Sequence, residues 1–214
     1  MGRGVRGDCR MSKVTPLPAA QSAVDLPLKG GGETEYAARA SANGAPAMMA
    51  RAHPTFALRP FLPADTPLLA EIFREAIAEL TADDYSEAQQ EAWASAAEDQ
   101  PAFGKKLAGA LTLIATMEGS PVGFAALAGP DKIDMLYVHP AVAGQGVGAM
   151  LADALEKLAG ARGAASLSVD ASDSARGFFE KRGYVARQRN SVSVAGEWLA
   201  NTTLQKQLAA GKPS

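Results

Sequence analysis

Three glycines at alternate positions, Gly144, Gly146 and Gly148, separate an apolar run that ends in Val-His-Pro from a segment of helical period. Where a strand turns into a helix, the first helical N–H groups have no partners and the helix dipole is positive, so an anion is stabilised there. Glycines have no Cβ atom and let the anion approach the backbone. The loop therefore predicts a ligand that carries phosphate.

Two phosphate-binding patterns can be tested against this loop. It lacks the Gly-Lys-Ser/Thr ending of the ATP-binding Walker pattern. "GQGVGA" does satisfy the dinucleotide pattern, and Asp170 follows at about the expected distance of 20 residues. However, only residues 171–214 remain after Asp170, too few for the second half of such a fold, and "HPAVA" separates the strand from the first glycine. A dinucleotide fold is disfavoured; a purely structural turn remains an alternative.

Composition narrows the chemistry. The 214 residues are 47% apolar, enough for one core, and contain no run of about 18 apolar residues that could span a membrane. A formal charge of −2 argues against a nucleic-acid partner. Cys9 has no second cysteine for an intramolecular disulfide, and the two histidines, His53 and His139, belong to no cluster with metal-ligand spacing. We expect small-molecule chemistry, with no metal, membrane or nucleic acid.

The chain divides near residue 52. Residues 1–52 are rich in Gly and Pro and contain no Ile, Phe or Trp, so they predict a disordered N-terminal extension. Their basic start is not followed by the apolar core of a secretory signal, while a transit peptide or a later start at Met11 or Met48 stays open. Residues 53–214 are predicted to form the folded domain.

The helices of this domain are predicted from apolar spacing and capping residues. Thr66 is expected to cap the first helix, with Pro67 at its first position. "SEAQ", from Ser86 to Gln89, has the spacing of a capping box for a second helix. Gly160 is expected to end the helix after the glycine loop, and Gly183 the helix "DSARGFFEKR". The predicted apolar face of the first helix consists of Leu68, Leu69, Ile72, Phe73, Ala76, Ile77 and Leu80.

The strands are predicted from apolar runs bounded by turn residues. "FALRPF" is the first strand, and "ALTLIATM" and "PVGFAALAG" are expected to form a hairpin across "EGSP". "KIDMLYVHP" and "ASLSVD" follow, and two further strands flank "VAGEW". The elements thus mix strands and helices throughout the domain.

Taken together, "VHP", "AGQGVG" and "ARGFFEKRGY" occur in an order and spacing that resembles the GNAT superfamily of acyl-coenzyme A dependent N-acetyltransferases, over about residues 55 to 208. The resemblance implies an α/β (α+β) fold. Its central sheet would be mixed and mostly antiparallel, of six to seven strands with helices on both faces. The cofactor, acetyl-coenzyme A, would enter where two parallel strands splay apart.

The resemblance also implies which residues bind coenzyme A. Backbone N–H groups of the glycine loop would hold the pyrophosphate, the strand before it would bond the pantetheine arm, and the later helix would flank the cofactor. Plain core packing explains Phe178 and Phe179 equally well. The implied residues are, in order, Gly144, Gln145, Gly146, Val147 and Gly148 of the loop; Leu136, Tyr137 and Val138 of the strand; and Ala175, Phe178 and Phe179 of the helix.

Two positions depart from the family pattern. Ala143 stands where the loop usually begins with Gln or Arg, so one side-chain contact is missing. Phe179 replaces the Tyr that often protonates the leaving thiolate, so the motif supplies no general acid. Because a thiol pKa is only about 8.5, the thiolate can leave without one. Tyr184 and Tyr137 are nearby in sequence, although strand alternation predicts that Tyr137 faces away from Asp134.

An ammonium has no lone pair, so acyl transfer to an amine benefits from a base. Asp134 is the first candidate for this catalytic role, because alternation predicts that it shares a strand face with Leu136 and Val138. Asp170 is a second candidate, and His139 a third. Each also has a structural explanation, as a surface or hydrogen-bonded residue.

The resulting hypothesis is a cytoplasmic N-acetyltransferase, monomeric or homodimeric, that acts on a primary amine of a small molecule or peptide. The alternative is a non-catalytic acyl-coenzyme A sensor, which the Phe at position 179 favours. Residues 81–106 are expected to select the acceptor, because their carboxylates would attract a cationic amine, although a solvated helix face explains them too. These acids are Asp83, Asp84, Glu87, Glu91, Glu98 and Asp99.

Overall fold

The computed structural model describes residues 55–208, which form one seven-stranded sheet with helices on both faces. The strand order is β1-β2-β3-β4-β5-β7-β6, and only the β4–β5 pair is parallel. The predicted mixed, mostly antiparallel sheet is confirmed; the predicted extension, 1–52, lies outside the described residues. The strands are β1 Phe56–Pro60, β2 Leu111–Met117, β3 Ser120–Ala128, β4 Lys132–Val138, β5 Ser166–Ser172, β6 Val185–Val194 and β7 Glu197–Gln207.

The helices fall into two groups, one on each face of the sheet. The helices are α1 Thr66–Leu80, α2 Glu87–Ala94, α3 Gln100–Ala108, α4 Val147–Ala161 and α5 Asp173–Lys181. On one face, Phe73 of α1 and Phe103 of α3 pack in one apolar cluster with Phe124 of β3. On the other, Leu151 and Leu155 of α4 pack in a second cluster. Burial of each such side chain contributes about 1.5–3 kcal/mol, so both faces stabilise the sheet.

Tight turns connect the antiparallel strands. Glu118 and Gly119 have φ angles of 52° and 88° between β2 and β3, and Ala195 and Gly196 have φ angles of 47° and 92° between β6 and β7. Two consecutive residues with positive φ are typical of the hairpin turn whose twist matches that of the strands. Both predicted strand pairs, across "EGSP" and around "VAGEW", are confirmed.

Three predictions about helices need correction. Thr66 is the first residue of α1 rather than its cap, and Leu68 and Leu80 are 48% and 41% exposed although they were predicted on the buried face. Gly160 does not end α4, which continues to Ala161. Gly163 ends it instead: at a φ of 88°, its N–H donates to the carbonyl of Gly160 in the manner of a Schellman motif.

Two other predictions about helix ends are confirmed. Gly183 ends α5 with a φ of 85°, as predicted. The capping box of α2 is also confirmed: the N–H of Gln89 donates to Ser86 Oγ at 3.3 Å, and the N–H of Ser86 donates to Gln89 Oε1 at 2.9 Å. Because Gln89 Nε2 also donates to the carbonyl of Trp198 at 2.7 Å, the cap fixes α2 against β7.

Candidate active site

A cavity opens where β4 and β5 separate. These strands pair at only two positions, Lys132 with Ser168 and Ile133 with Val169, and no pair joins them beyond this point. The cavity has a volume of about 820 Å³ including its open mouth, and side chains from both faces of the sheet line it. The cavity therefore lies where the two parallel strands separate, which is the position that the family resemblance implies for the cofactor.

A β-bulge shapes the β4 wall of this cavity. Ala126 of β3 pairs with Met135, while the next residue, Leu127, pairs with Ile133, so Asp134 is an extra residue without a partner on β3. A bulge places an additional residue in one strand and shifts the alternation of side chains. The predicted face of Asp134 is therefore wrong.

The actual faces follow from packing contacts. Leu136 and Val138 pack against the cluster beneath α4 and α5. Tyr137 packs against the opposite cluster, beneath α1 and α3. Asp134 lies on the face of Tyr137, because its carboxylate forms an ion pair with Lys106 of α3 at 3.0 Å. The side chain of Asp134 thus shares a face with Tyr137, although alternation predicted opposite faces.

An aromatic wall stands on this same face. The Trp93 ring lies 5.5 Å from the Tyr85 ring and 6.4 Å from the Tyr137 ring, both edge-on. Tyr137 stacks on Phe124 at 5.6 Å and meets Phe73 edge-on at 4.6 Å. Burial raises the pKa of Tyr137, so its hydroxyl stays protonated at neutral pH. We call the cavity wall formed by Ala76, Leu80, Trp93, Asp134 and Tyr137 the aromatic side.

Hydrogen bonds join the segment before α2 to β7 and to the start of α5. The Tyr85 hydroxyl donates to the carbonyl of Ala200 at 2.5 Å and accepts from the N–H of Asp173 at 3.0 Å. Ser174 Oγ donates to Asp84 at 2.6 Å. Sequence spacing does not indicate these contacts, since they join residues 88 to 115 positions apart.

The acid-rich segment contributes no carboxylate to the cavity wall. Asp84 accepts from Ser174, and Asp99 accepts from the N–H of Ala102 at the start of α3. None of the six acids predicted to attract the acceptor is among the lining residues of the described chain. The acidic side chains that do line the cavity are Asp134 and Asp170, and the segment 81–106 supplies Thr81 and Trp93 to the lining.

The other two candidate bases, like Asp134, contact charged residues. Asp170 pairs with Lys132 at 2.9 Å and accepts from Thr203 Oγ1 at 2.5 Å. Burial alone would raise the pKa of Asp170, but the hydrogen bonds from Thr203 and Lys132 outweigh it and hold that pKa below its usual value. His139 pairs with Glu75 at 2.8 Å, outside the cavity lining. Asp170 is thus a weakened base, and His139 lies away from the gap.

The glycine loop lies at the start of α4. Gly144 and Gly146 have φ angles of 76° and 90°, and no atom of the described chain lies within 4 Å of where a Cβ atom would stand at either. Gln145 is hydrogen-bonded within the loop. Its N–H donates to the carbonyl of Val142 at 3.2 Å, and its side-chain amide donates to the carbonyl of Ala141 at 3.0 Å. Open space therefore adjoins two glycines whose backbone other residues rarely adopt.

Four amides of this loop remain for an external acceptor. The N–H groups of Gly144, Gly146, Val147 and Gly148 donate to no backbone carbonyl in residues 55–208. The last two occupy the first turn of α4, where helical N–H groups lack partners by geometry. Together with the positive end of the helix dipole, they form a site that suits an anion.

A glycine in the sheet lets α4 come this close. A Cβ atom at Gly123 of β3 would stand 2.9 Å from the carbonyl oxygen of Tyr137 and 3.3 Å from Val147 Cγ1. Those distances are shorter than ordinary van der Waals contact. Only glycine therefore allows the start of α4 to pack against the sheet here, a role that the sequence alone does not reveal.

Helix α5 borders the same region. Phe178 and Leu136 both approach Gly148, each 3.7 Å from where its Cβ atom would stand. Phe179 is 2% exposed, lines the cavity and packs edge-on against Phe178 at 5.0 Å and Tyr184 at 5.2 Å. We call the surface formed by the glycine loop, Leu136, Val138 and these phenylalanines the loop side; Leu136, Val138 and Phe179 are its members that line the cavity.

The described residues contain neither a membrane-spanning helix nor a cluster of metal ligands. No helix among residues 55–208 has both the length and the apolar composition needed to cross a membrane. Within the same residues, His, Cys, Asp and Glu side chains form no group of three or more that could hold a metal ion. Neither site wall therefore includes a protein metal centre in the described part of the chain.

Comparisons with known proteins converge on one activity. A family model described as an acetyltransferase (GNAT) domain matches residues 81–206. The uncharacterized N-acetyltransferase YafP of Escherichia coli (strain K12) is 33% identical over 144 residues, which cover 67% of this chain and 91% of that protein. The family match includes the glycine loop and every lining residue of the cavity from Thr81 onward.

Solved structures share the same fold. A crystal structure from Rhodopseudomonas palustris, described as "GCN5-Related N-acetyltransferase: Aminotransferase, Class-II", is 65% identical with a TM-score of 0.71 and covers 75% of this chain and 99% of its own. The PaiA N-acetyltransferase of Thermoplasma acidophilum, solved in complex with coenzyme A, is 18% identical with a TM-score of 0.60 and covers 72% and 99%.

Proposed function

The chain belongs to the GNAT family of acetyltransferases and is an acyltransferase, and we propose that it transfers an acetyl group from acetyl-coenzyme A to the primary amine of a small molecule or peptide. The observation that carries this proposal is the cavity at the β4–β5 gap, which side chains from both faces of the sheet line. An acyl donor on the loop side and an amine on the aromatic side could meet there.

The loop side fits the pyrophosphate of coenzyme A. The N–H groups of Gly144, Gly146, Val147 and Gly148 would bind its oxygens, since they have no backbone partner and adjoin open space. Gln145, also predicted to contribute its N–H, donates that group to Val142 instead. The coenzyme A bound in the PaiA structure supports a cofactor of this class on the same fold.

The pantetheine arm would follow β4. Beyond Ile133 this strand has no partner on the β5 side, so backbone groups of Leu136 to Val138 are available there for hydrogen bonds like those of an added strand. Ala175, Phe178 and Phe179 of α5 would flank the arm with apolar surface. The residues named in this paragraph supply shape and backbone groups rather than charge.

Asp134 would act as the general base. Its carboxylate lies on the aromatic side, and its ion pair with Lys106 holds it in place. It would take a proton from the acceptor ammonium, directly or through one water. The amine nitrogen then bonds to the acyl carbon, the C–S bond breaks, and the thiolate leaves with the electron pair. The bonded nitrogen loses its second proton to become an amide, and because Phe179 has no proton to give, the thiolate takes up that proton through water.

The proposal is tested with the full chain, acetyl-coenzyme A and a panel of primary amines. Release of free thiol, together with the acetylated amine identified by mass spectrometry, is the expected result. Coenzyme A binding is measured in parallel by calorimetry. Tight binding without acetylation of any amine would contradict the proposed transfer and favour the sensor. A cytoplasmic location and a monomeric or homodimeric state stay predictions of the sequence.

A further inference from the structure

Apart from Asp134, the aromatic side is apolar. Ala76 and Leu80 from α1 and Trp93 from α2 line the cavity beside Met135 and Tyr137 of β4. The Trp93 ring lies near Tyr137 on this wall and near Tyr85 outside it, with the ring distances given above. Contacts of this kind hold an indole in one orientation. A planar or bulky apolar group could therefore pack against Trp93 with little reorganisation.

The charges of the cavity are all negative. Asp134 and Asp170 are the charged side chains among its lining residues in the described chain. Each carboxylate forms an ion pair with a lysine that does not line the cavity: Asp134 with Lys106 at 3.0 Å, and Asp170 with Lys132 at 2.9 Å. Each lysine offsets part of its partner's charge, but the carboxylates are the groups that face the cavity, so an acceptor ammonium would find a direct partner there and an acceptor carboxylate would not.

The start of α5 offers little compensation for an acceptor carboxylate. The N–H of Asp173 already donates to the Tyr85 hydroxyl at 3.0 Å. The N–H of Ala175 donates to Ser172 Oγ at 3.2 Å. Two of the donors at this helix end are thus engaged, so a carboxylate entering the cavity would lose water without gaining these hydrogen bonds.

We infer that the acceptor is an arylalkylamine or a similar amine, with an apolar, preferably planar body and no carboxylate beside the amine, and that Trp93 determines this specificity. The inference rests on the proposed acetyl transfer and narrows its acceptor. The aromatic wall binds the body of the acceptor, while Asp134 faces its ammonium. Free amino acids are poor acceptors because of their carboxylate, and polyamines are poor acceptors because their further ammonium groups would lose water against the apolar wall.

The first test compares 2-phenylethylamine with phenylalanine, phenylalanine amide and spermidine. Phenylethylamine and the amide should be acetylated with a kcat/KM at least about tenfold above phenylalanine, which differs from them in its carboxylate, and above spermidine. Each comparison is made over a range of pH, so that equal fractions of neutral amine are compared. A preference for phenylalanine or spermidine overturns the inference while leaving acetyl transfer intact; acetylation of no amine, despite coenzyme A binding, counts against the transfer itself.

The second test examines Trp93 by ligand binding as well as by turnover. The chain contains two tryptophans, and Trp198 is 62% exposed on β7, so Trp198→Phe leaves Trp93 as the only indole. Its fluorescence should then change saturably with phenylethylamine and not with phenylalanine. In the otherwise native chain, Trp93→Ala should raise KM for phenylethylamine about tenfold, and Trp93→Phe should recover most of that loss. An unchanged KM in a folded Trp93→Ala enzyme, or fluorescence insensitive to phenylethylamine, overturns the role of Trp93.

Discussion

The loop side and the aromatic side of the site differ in the groups that they present. On the loop side, the hydrogen-bond donors are backbone N–H groups of the glycine loop, and the apolar residues come from short continuous segments in β4 and α5. The aromatic side consists of side chains from α1, α2 and β4, held by contacts such as Tyr85 to Ala200 that join residues 115 positions apart. Backbone sites can be recognised as motifs, whereas sites made of side chains depend on tertiary packing. Mutations should therefore affect the two walls in separable ways.

Asp134→Asn should have the largest effect, on the aromatic side alone. The amide keeps the shape but cannot accept the proton, and loss of a general base typically costs about 10²- to 10⁴-fold in rate. The affinity for coenzyme A should be unchanged, because backbone groups elsewhere hold it. Turnover of the variant should recover partly at high pH, where more of the amine is already neutral. The measurements are kcat across pH and calorimetric coenzyme A binding.

Near wild-type turnover of a folded Asp134→Asn enzyme on an accepted amine would remove Asp134 from the mechanism. A uniform loss at all pH values, with a lower melting temperature, would instead indicate a structural role. Either outcome would also weaken the contrast between the walls, because the aromatic side would then lack its reactive group.

Asp170→Asn is the matched comparison at the neighbouring strand. The pKa of Asp170 is lowered in the folded state, so its carboxylate contributes stability above its unfolded pKa of about 3.9, and this contribution is lost as the pH falls through the lower folded value. We expect a melting temperature lower by about 2–4 °C at neutral pH, a difference that shrinks below about pH 4. A large kcat loss that high pH relieves would move the base from Asp134 to Asp170.

The sequence predicts much of the fold and the loop side, but less of the aromatic side. Motif spacing placed the glycine loop, the hairpins and the capping box of α2, since each depends on local geometry. The face of Asp134 was mispredicted because one extra residue in β4 shifts the alternation, and bulges have no firm local signal. The requirement for glycine at position 123 and the fastening of Tyr85 arise from contacts between distant segments.

On the loop side, Gly146→Val should weaken coenzyme A binding while sparing catalysis at saturation. A β-branched side chain disfavours the φ of 90° and occupies the open space beside the amides. Loss of one hydrogen bond to a charged group predicts a Kd at least about tenfold higher. Calorimetry with coenzyme A measures it.

Gly163→Val controls for backbone strain. Gly163 follows the other end of α4, has a φ of 88°, and also has no neighbour within 4 Å of its Cβ position in the described chain. It should therefore lower the melting temperature comparably without changing the Kd for coenzyme A. Equal Kd changes in both variants would show that α4 strain, rather than the loop, governs binding.

Ala143→Arg should have the smallest effect and should strengthen binding. Ala143 is exposed, and its N–H donates to the carbonyl of Pro140 at 3.0 Å, so the backbone is already fixed and a long side chain can extend into solvent. A guanidinium beside the pyrophosphate adds a charge-assisted contact, but an exposed one, which predicts a few-fold lower Kd, about 0.2–1 kcal/mol. The gain should shrink as salt is raised from low to physiological ionic strength. Ala143→Gln, similar in reach but neutral, should give a smaller gain with little salt dependence. If Ala143→Arg binds coenzyme A no more tightly than the wild type at low salt, the phosphates do not lie at this end of the loop. The proposed position of the pyrophosphate would then be wrong, even if Gly146→Val weakens binding as expected.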